Sequence, residues 1–450
     1  METSNKFREK ELLDDLRKLV AIPSVRDLSS AKNNAPFGKE IRNVFDEFIE
    51  IAKREGFQIH DENGYAVTAQ IGNGEDYIAV LGHLDVVEAG DYELWDQDPF
   101  TMTEKDGILY GRGVNDDKGP LLAALYAVSK IKEENIKLRY PIRIIAGGAE
   151  ETTWECMKEY FKHNKQPIYG FSPDGNFPIV NGEKGILQVR FSLPKDKGIE
   201  VKSKTRLNYV CDDLEIILPN KSDISFIDNS NEIRQDEDGV HVSYKGVRSL
   251  SRNPQRGENA IFKFVKDFRE KLQQYNSLNN VIHMISDQFL DDFYGKKSGL
   301  YYEDDEMGVG SICLMSLSTN EEELELCVDV RYVKSANEEE LLNKLQSIAD
   351  QYGCKLDVIN HKRLLYVPED SDLIKSLKIA YKRVMNEDAD VFTKGGASYA
   401  RVLDKGVAFG ATFPNEDPHP HMPNECMPIT SLMKAAEIYY EALKELACWK

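Results

Sequence analysis

Twice in its first third the chain runs a largely apolar stretch into glycine, then into histidine or acid, and later into a helix-forming segment. The first stretch is DYIAVL over 76–81, followed at once by Gly82, His83, Leu84 and Asp85. The second is Ile142–Ala146, followed by Gly147, Gly148, Ala149, Glu150 and Glu151. Short apolar runs of this kind read as strands buried on both faces. After the first, Pro120 opens the apolar helix LLAALYAVSKI, and Pro is at home in a first helical turn. After the second, Met157, Tyr160 and Phe161 mark another helix. Strand, loop, helix, repeated, predicts an α/β domain with a mostly parallel central sheet. In such sheets reactive groups collect in loops beyond the C-terminal ends of the strands. Both of these clusters fall there.

The remaining elements place a second domain inside the first. Residues 9–22 and about 38–54 read as amphipathic helices, the former ended by Pro23. From about Ile186 the texture changes to alternating strands, such as GILQVRFSLP and ELELCVDVRYV, with helices near 259–273 and 337–350. A helix resumes near 371, and an amphipathic helix at about 429–444 closes the chain. The expected organisation is a catalytic domain made of 1–185 and 366–450, interrupted by an α+β lid or substrate domain over 186–365. A length of 450 residues exceeds what one core usually organises, which agrees with two domains.

Charge and cysteine usage narrow the function classes. Fifty-seven basic against seventy-seven acidic side chains give a net charge of −20, a field that repels nucleic acid and anionic membranes and enriches cations. No apolar run is long enough for a membrane span, and the N-terminus lacks a signal-peptide pattern. The seven cysteines, without a CxxC pair, read as reduced packing thiols of a cytoplasmic protein.

Each polar cluster taken singly has an ordinary explanation. His83 and Asp85 lie at i and i+2 of a strand end, on one side, so one can ligate while the other orients the imidazole; HxD is also a common chance pairing. Asp116 and Asp117 in GRGVNDDKG are costly to seclude without a cation, though a surface turn would hold them freely. Glu150–Glu151, Asp174 in GFSPDG and His421 in HMPNE pose the same choice. Jointly they form a set able to hold two divalent cations, with one bridging carboxylate and one carboxylate left over as a base.

The motifs GHLDVV (82–87), GRGVNDDKG (111–119), GAEETTW (148–154), SPDG (172–175), GEKG (182–185), GGASYAR (395–401) and HMPNE (421–425) resemble, in order and spacing, those of the M20 metallopeptidase family, closest to its PepV-like bacterial dipeptidases. The resemblance implies that His83 and Asp174 bind one metal, Glu151 and His421 the other, and Asp116 both. It makes Glu150 the general base and Asp85 the residue behind His83, and it implies a cis peptide after Asp116. The ions would be Zn2+ or Mn2+, and the substrate a dipeptide or other small amide with a free carboxylate. Arg401 resembles the family residue that pairs with that carboxylate, Asn208 one that also reaches substrate, and Gly395 and Gly396 allow close backbone approach. Family members with a long inserted domain are commonly monomeric.

One segment departs from the pattern. In GVRSLSRNPQRGENA (246–260) Leu250 stands where the family usually has a histidine that stabilises the oxyanion. This leaves two other readings open: an N-acyl amino-acid amidase on the same scaffold, and a non-catalytic metal or peptide binder. Arg248, Ser249, Ser251 and Arg252 are the polar neighbours able to compensate.

Overall fold

The computed structural model describes residues 7–204, 208–269 and 271–449, which form two compact units. The first comprises 1–182, 365–392 and 398–450; the second comprises 183–364 and 393–397.

The first unit is built on a nine-stranded sheet. Its strands run in the order Gln58–Asp61, Ala66–Ile71, Ile142–Gly147, Ile78–His83, Tyr169–Ser172, Gly406–Ala408, Ile179–Glu183 and Leu365–Tyr366, with Val391–Lys394 also pairing Ile179–Glu183. The middle four strands are parallel, and Ile78–His83 lies between two parallel neighbours with all six residues buried. The flanks are antiparallel: Gln58–Asp61 pairs Ala66–Ile71, which pairs Ile142–Gly147, and Gly406–Ala408 pairs Ile179–Glu183. The sheet is therefore mixed rather than mostly parallel. The reason is connection length, since a four-residue link such as 62–65 returns the chain on itself, and only a longer crossover brings strands together in parallel.

The helix Lys118–Glu133 carries the crossover from the Ile78–His83 side to Ile142–Gly147. It is apolar nearly all round because it packs on those two strands on one side and on the helices Glu9–Val20 and Ile429–Ala447 on the other. Leu121, Leu122, Leu125, Val128 and Ile131 are completely buried there, and each contributes about 1.5–3 kcal/mol by leaving water. This packing fixes the height at which the helix begins, and hence the position of the loop before it.

The second unit holds two four-stranded antiparallel sheets. One orders its strands Glu200–Ser203, Asp213–Leu218, Val240–Lys245, Glu232–Gln235; the other Ser311–Thr319, Glu323–Tyr332, Gly185–Pro194, Lys355–Lys362. The helices Ala260–Phe268, Asn276–Gln288 and Glu338–Tyr352 share a single apolar core with them. This is the α+β texture expected from alternation. The helix Asn276–Gln288 was not anticipated, and the expected 259–273 helix stops at Phe268.

Candidate metal centre

His83 is the last residue of its strand and is fully buried. Its Nδ1 lies 2.9 Å from the Asp85 carbonyl oxygen and 3.6 Å from Asp85 Oδ1, so Nε2 points the other way, 3.0 Å from Asp116 Oδ1. Asp116 sits in the turn just before Lys118–Glu133, where the helix N-terminus favours negative charge. The peptide joining Asp116 to Asp117 is cis. Asp117 Oδ2 accepts the His83 backbone N–H at 3.1 Å, and Gly82 must be glycine because a Cβ there would lie 2.2 Å from that same oxygen.

The second histidine arrives from far along the chain. His421 Nε2 lies 3.0 Å from Asp116 Oδ2 and 3.0 Å from Glu151 Oε2. Asp116 thus presents each carboxylate oxygen to a different histidine. The ligand atoms of His83, Asp116 and Glu151 lie within 4.8 Å of one another, and so do those of His83, Glu150 and Asp174. Six of the predicted residues are therefore brought together.

Asp85 acts on this cluster through its carboxylate as well as its carbonyl. Oδ1 accepts the Glu150 N–H and Oδ2 the Glu151 N–H, both at 3.1 Å. It ties the loop after Ile142–Gly147 to the end of Ile78–His83, and so fixes both glutamates relative to His83.

The electrostatics describe a site short of positive charge. Burial opposes a charged His83, yet Asp116 and Asp85 hold its pKa well above the ordinary value. Hydrogen bonds to Asp116 and Glu151 push His421 up to about 11. Burial and the neighbouring Asp116 charge push Glu151 up to about 7. Glu151 Oε1 is buried without a hydrogen-bond partner, an orphaned acceptor in a cage of carboxylates and imidazoles. Two His and several carboxylate oxygens suit hard to borderline divalent cations, so the residues present fit a dinuclear metal site.

Two supporting residues of this site were given no role from sequence. Glu425 is completely buried, and its carboxylate accepts Arg112 Nη1 at 2.7 Å and the backbone N–H groups of Gly113, Asn115 and Asp116 at 3.0–3.1 Å. It therefore fixes the Asp116 loop from a position four residues past His421. Its signal was present as the last residue of HMPNE. Tyr399 is buried, sets its ring edge-on to His83 at 6.1 Å and shares a 2.7 Å hydrogen bond with Cys156 Sγ.

The expected substrate residues lie in both units. Arg401 belongs to the first, on the short turn Tyr399–Val402, and is 1% exposed. Asn208, Gly395 and Gly396 belong to the second. There Arg331 forms a two-point pair with Asp329, Nε to Oδ1 at 2.6 Å and Nη2 to Oδ2 at 3.0 Å, and also donates to Gly395 O, Asn208 Oδ1 and Ser251 Oγ at 3.2–3.3 Å. Gln188 donates to Asn208 Oδ1 and Asp329 Oδ2. This network was missed because its members come from five segments with no common motif. The Leu250 side chain is 36% exposed and can donate nothing.

Comparison with known proteins places this geometry in context. The pattern of Peptidase family M20/M25/M40 matches residues 79–445. A Bacillus subtilis (strain 168) protein named "Putative dipeptidase YtjP" is 31% identical over 459 residues, covering 98% of each chain. Among solved structures, the Saccharomyces cerevisiae di-peptidase Dug1p superposes with a TM-score of 0.61 at 16% identity, covering 98% of both chains. The Sulfolobus solfataricus metallo-carboxypeptidase Sso-CP2 gives 0.60 at 16% identity, covering 96% of this chain and 98% of its own. These two likenesses concern the fold.

Proposed function

Because the chain belongs to peptidase family M20/M25/M40, we propose that it is a metal-dependent dipeptidase of the PepV-like kind, with Glu150 as its general base. The observation that carries this reading is Asp116, whose two oxygens each lie 3.0 Å from a different histidine, with Glu150 in the adjoining group of ligand atoms. His83 and Asp174 would hold one divalent cation, Glu151 and His421 the second, and Asp116 would bridge them. When bound, Zn2+ or Mn2+ would polarise the scissile carbonyl and acidify water. Glu150 takes the proton of the attacking water and delivers it to the leaving amine, so one carboxylate serves both halves of the reaction. Asp85 keeps Glu150 in reach by holding its backbone N–H.

The relatives named as dipeptidases, matched over their whole length, favour a dipeptide with a free carboxylate as substrate. Free thiols at all seven cysteines favour the cytoplasm, the acidic surface argues against nucleic acid as a partner, and a monomer is the expected state. Leu250 leaves open a second reading, an N-acyl amino-acid amidase on the same scaffold, since an apolar side chain stands where the resemblance expects an oxyanion donor. A panel of dipeptides and N-acyl amino acids, assayed with Mn2+ and Zn2+ in turn, separates the two. Turnover of dipeptides at least tenfold above the N-acyl series supports the dipeptidase; the reverse order supports the amidase. Two bound metals with no turnover across the panel would leave a binding protein.

A further inference from the structure

The turn that follows the first helix, residues 19–24, touches both loops that carry the ligands His83 and Asp116. On one side Ser24, fully buried, donates its hydroxyl to the Leu84 carbonyl at 2.6 Å and accepts the Val86 N–H on its own carbonyl at 3.0 Å. These two bonds flank Asp85. On the other side Lys118, two residues past Asp116, sends its ammonium to the carbonyls of Leu19 and Ile22 at 2.9 and 2.8 Å. Lys118 is fully buried and makes no ion pair among the described residues. A buried ammonium is costly unless its donors are met, and here main-chain oxygens meet them. Leu19 lies in the last turn of the helix Glu9–Val20, where the exposed carbonyl ends favour a cation. Glycines make room for this approach: a Cβ on Gly113 would lie 2.9 Å from Lys118 Cδ, and one on Gly111 3.1 Å from Val20 Cγ1.

We propose that Lys118 and Ser24 are positioning residues of the metal centre, joined through the 19–24 turn into one brace that sets the Asp116 loop against the end of the His83 strand. The inference rests on the two-metal reading above and adds residues that ligate nothing. The turn is itself rigid, since Ile22 N–H bonds Leu19 O and Ser24 N–H bonds Ile22 O, so a displacement at one end is passed to the other. Asp116 must present its two oxygens to histidines from separate segments, and the brace fixes its loop relative to the first of them, His83. Groups that orient a ligand from behind in this way govern metal affinity without touching the ion.

The test compares full-length wild type with Lys118→Met, Ser24→Ala and the double variant. In the metal-free proteins, hydrogen exchange is followed at the amides of 83–87 and 111–117. Each single substitution is expected to speed exchange in both segments, the distant one included, while the sheet strands Ile78–Leu81 and Ile142–Ala146 stay protected. Zn2+ titration against a competing chelator should show affinity falling roughly ten- to a hundredfold in either single variant. The double variant should lose less than the product of the two, because both cut the same brace. Exchange that rises only beside each substitution, or that rises equally through the sheet, would overturn the proposal, as would multiplicative losses of affinity. Should Lys118→Met fail to fold, Ser24→Ala decides alone: faster exchange at 111–117 supports the brace and unchanged exchange there refutes it. Coupled exchange in a wild type that takes up no Zn2+ or Mn2+ would leave the brace standing and remove the two-metal reading.

Discussion

The two units each gather charged side chains, and they balance them in opposite ways. In the first, the carboxylates of Asp116, Glu150, Glu151 and Asp174 crowd around two histidines, and Glu151 Oε1 has no donor at all. In the second, Asp329 and Arg331 neutralise each other, every Arg331 nitrogen has an acceptor, and the group left over is a cation, Arg252. One cluster lacks positive charge and the other lacks negative charge. The chemistry the first invites follows from that imbalance: its donors fit divalent metal.

The sharpest way to break the comparison is to remove the metal. Chelation is expected to abolish turnover and to lower the thermal midpoint, with both restored by Zn2+ or Mn2+. Protons compete for the same atoms, because His421 is raised to about 11 and Glu151 to about 7 in the metal-free protein. Metal binding must release those protons, so affinity should rise with pH and fall steadily as pH drops through 7, followed by metal-binding titrations at several pH values. Affinity that does not vary between pH 6 and 8 would contradict the assignment.

In the second unit the corresponding blow falls on stability. Asp329→Ala leaves Arg331 buried and unpaired, and a loss of about 3–5 kcal/mol is expected in denaturant unfolding, with metal content unchanged. Glu150→Ala should lower kcat by roughly two orders of magnitude or more while both metals remain bound; elemental analysis beside the assay reads both. Full activity would remove Glu150 from the mechanism. The smallest effect is expected from Glu425→Gln, which keeps the shape but weakens the hold on the Asp116 loop. Metal affinity should fall roughly ten- to a hundredfold, as when other supports behind a ligand are removed.

What the sequence made legible was local. The apolar runs gave the strands ending at His83 and Gly147, and Pro120 and Pro23 marked helix limits within two or three residues of where they lie. The convergence of His83, Asp116, Glu150, Glu151, Asp174 and His421 could be anticipated because each follows a glycine- or proline-rich break with a carboxylate or imidazole. The antiparallel flanks could not, since pairing partners such as Ala66–Ile71 and Ile142–Gly147 carry no local mark of one another. The helix Asn276–Gln288 was obscured by four asparagine and serine residues in its first turns, although Leu278, Val281, Ile282 and Ile285 keep helical spacing. Glu425 is the plainest case. Its place at the end of HMPNE marks it as part of a motif, but does not reveal that its carboxylate will be closed off by amides more than three hundred residues away.

That separation has a bearing on biosynthesis. Until residues 421–425 have been made, Asp116 has neither the carboxylate that shapes its loop nor the imidazole opposite its second oxygen. A nascent chain exposing only its first four hundred residues therefore offers a half-assembled cage, and a cation would meet the full set of donors only once residues 421–425 have joined it.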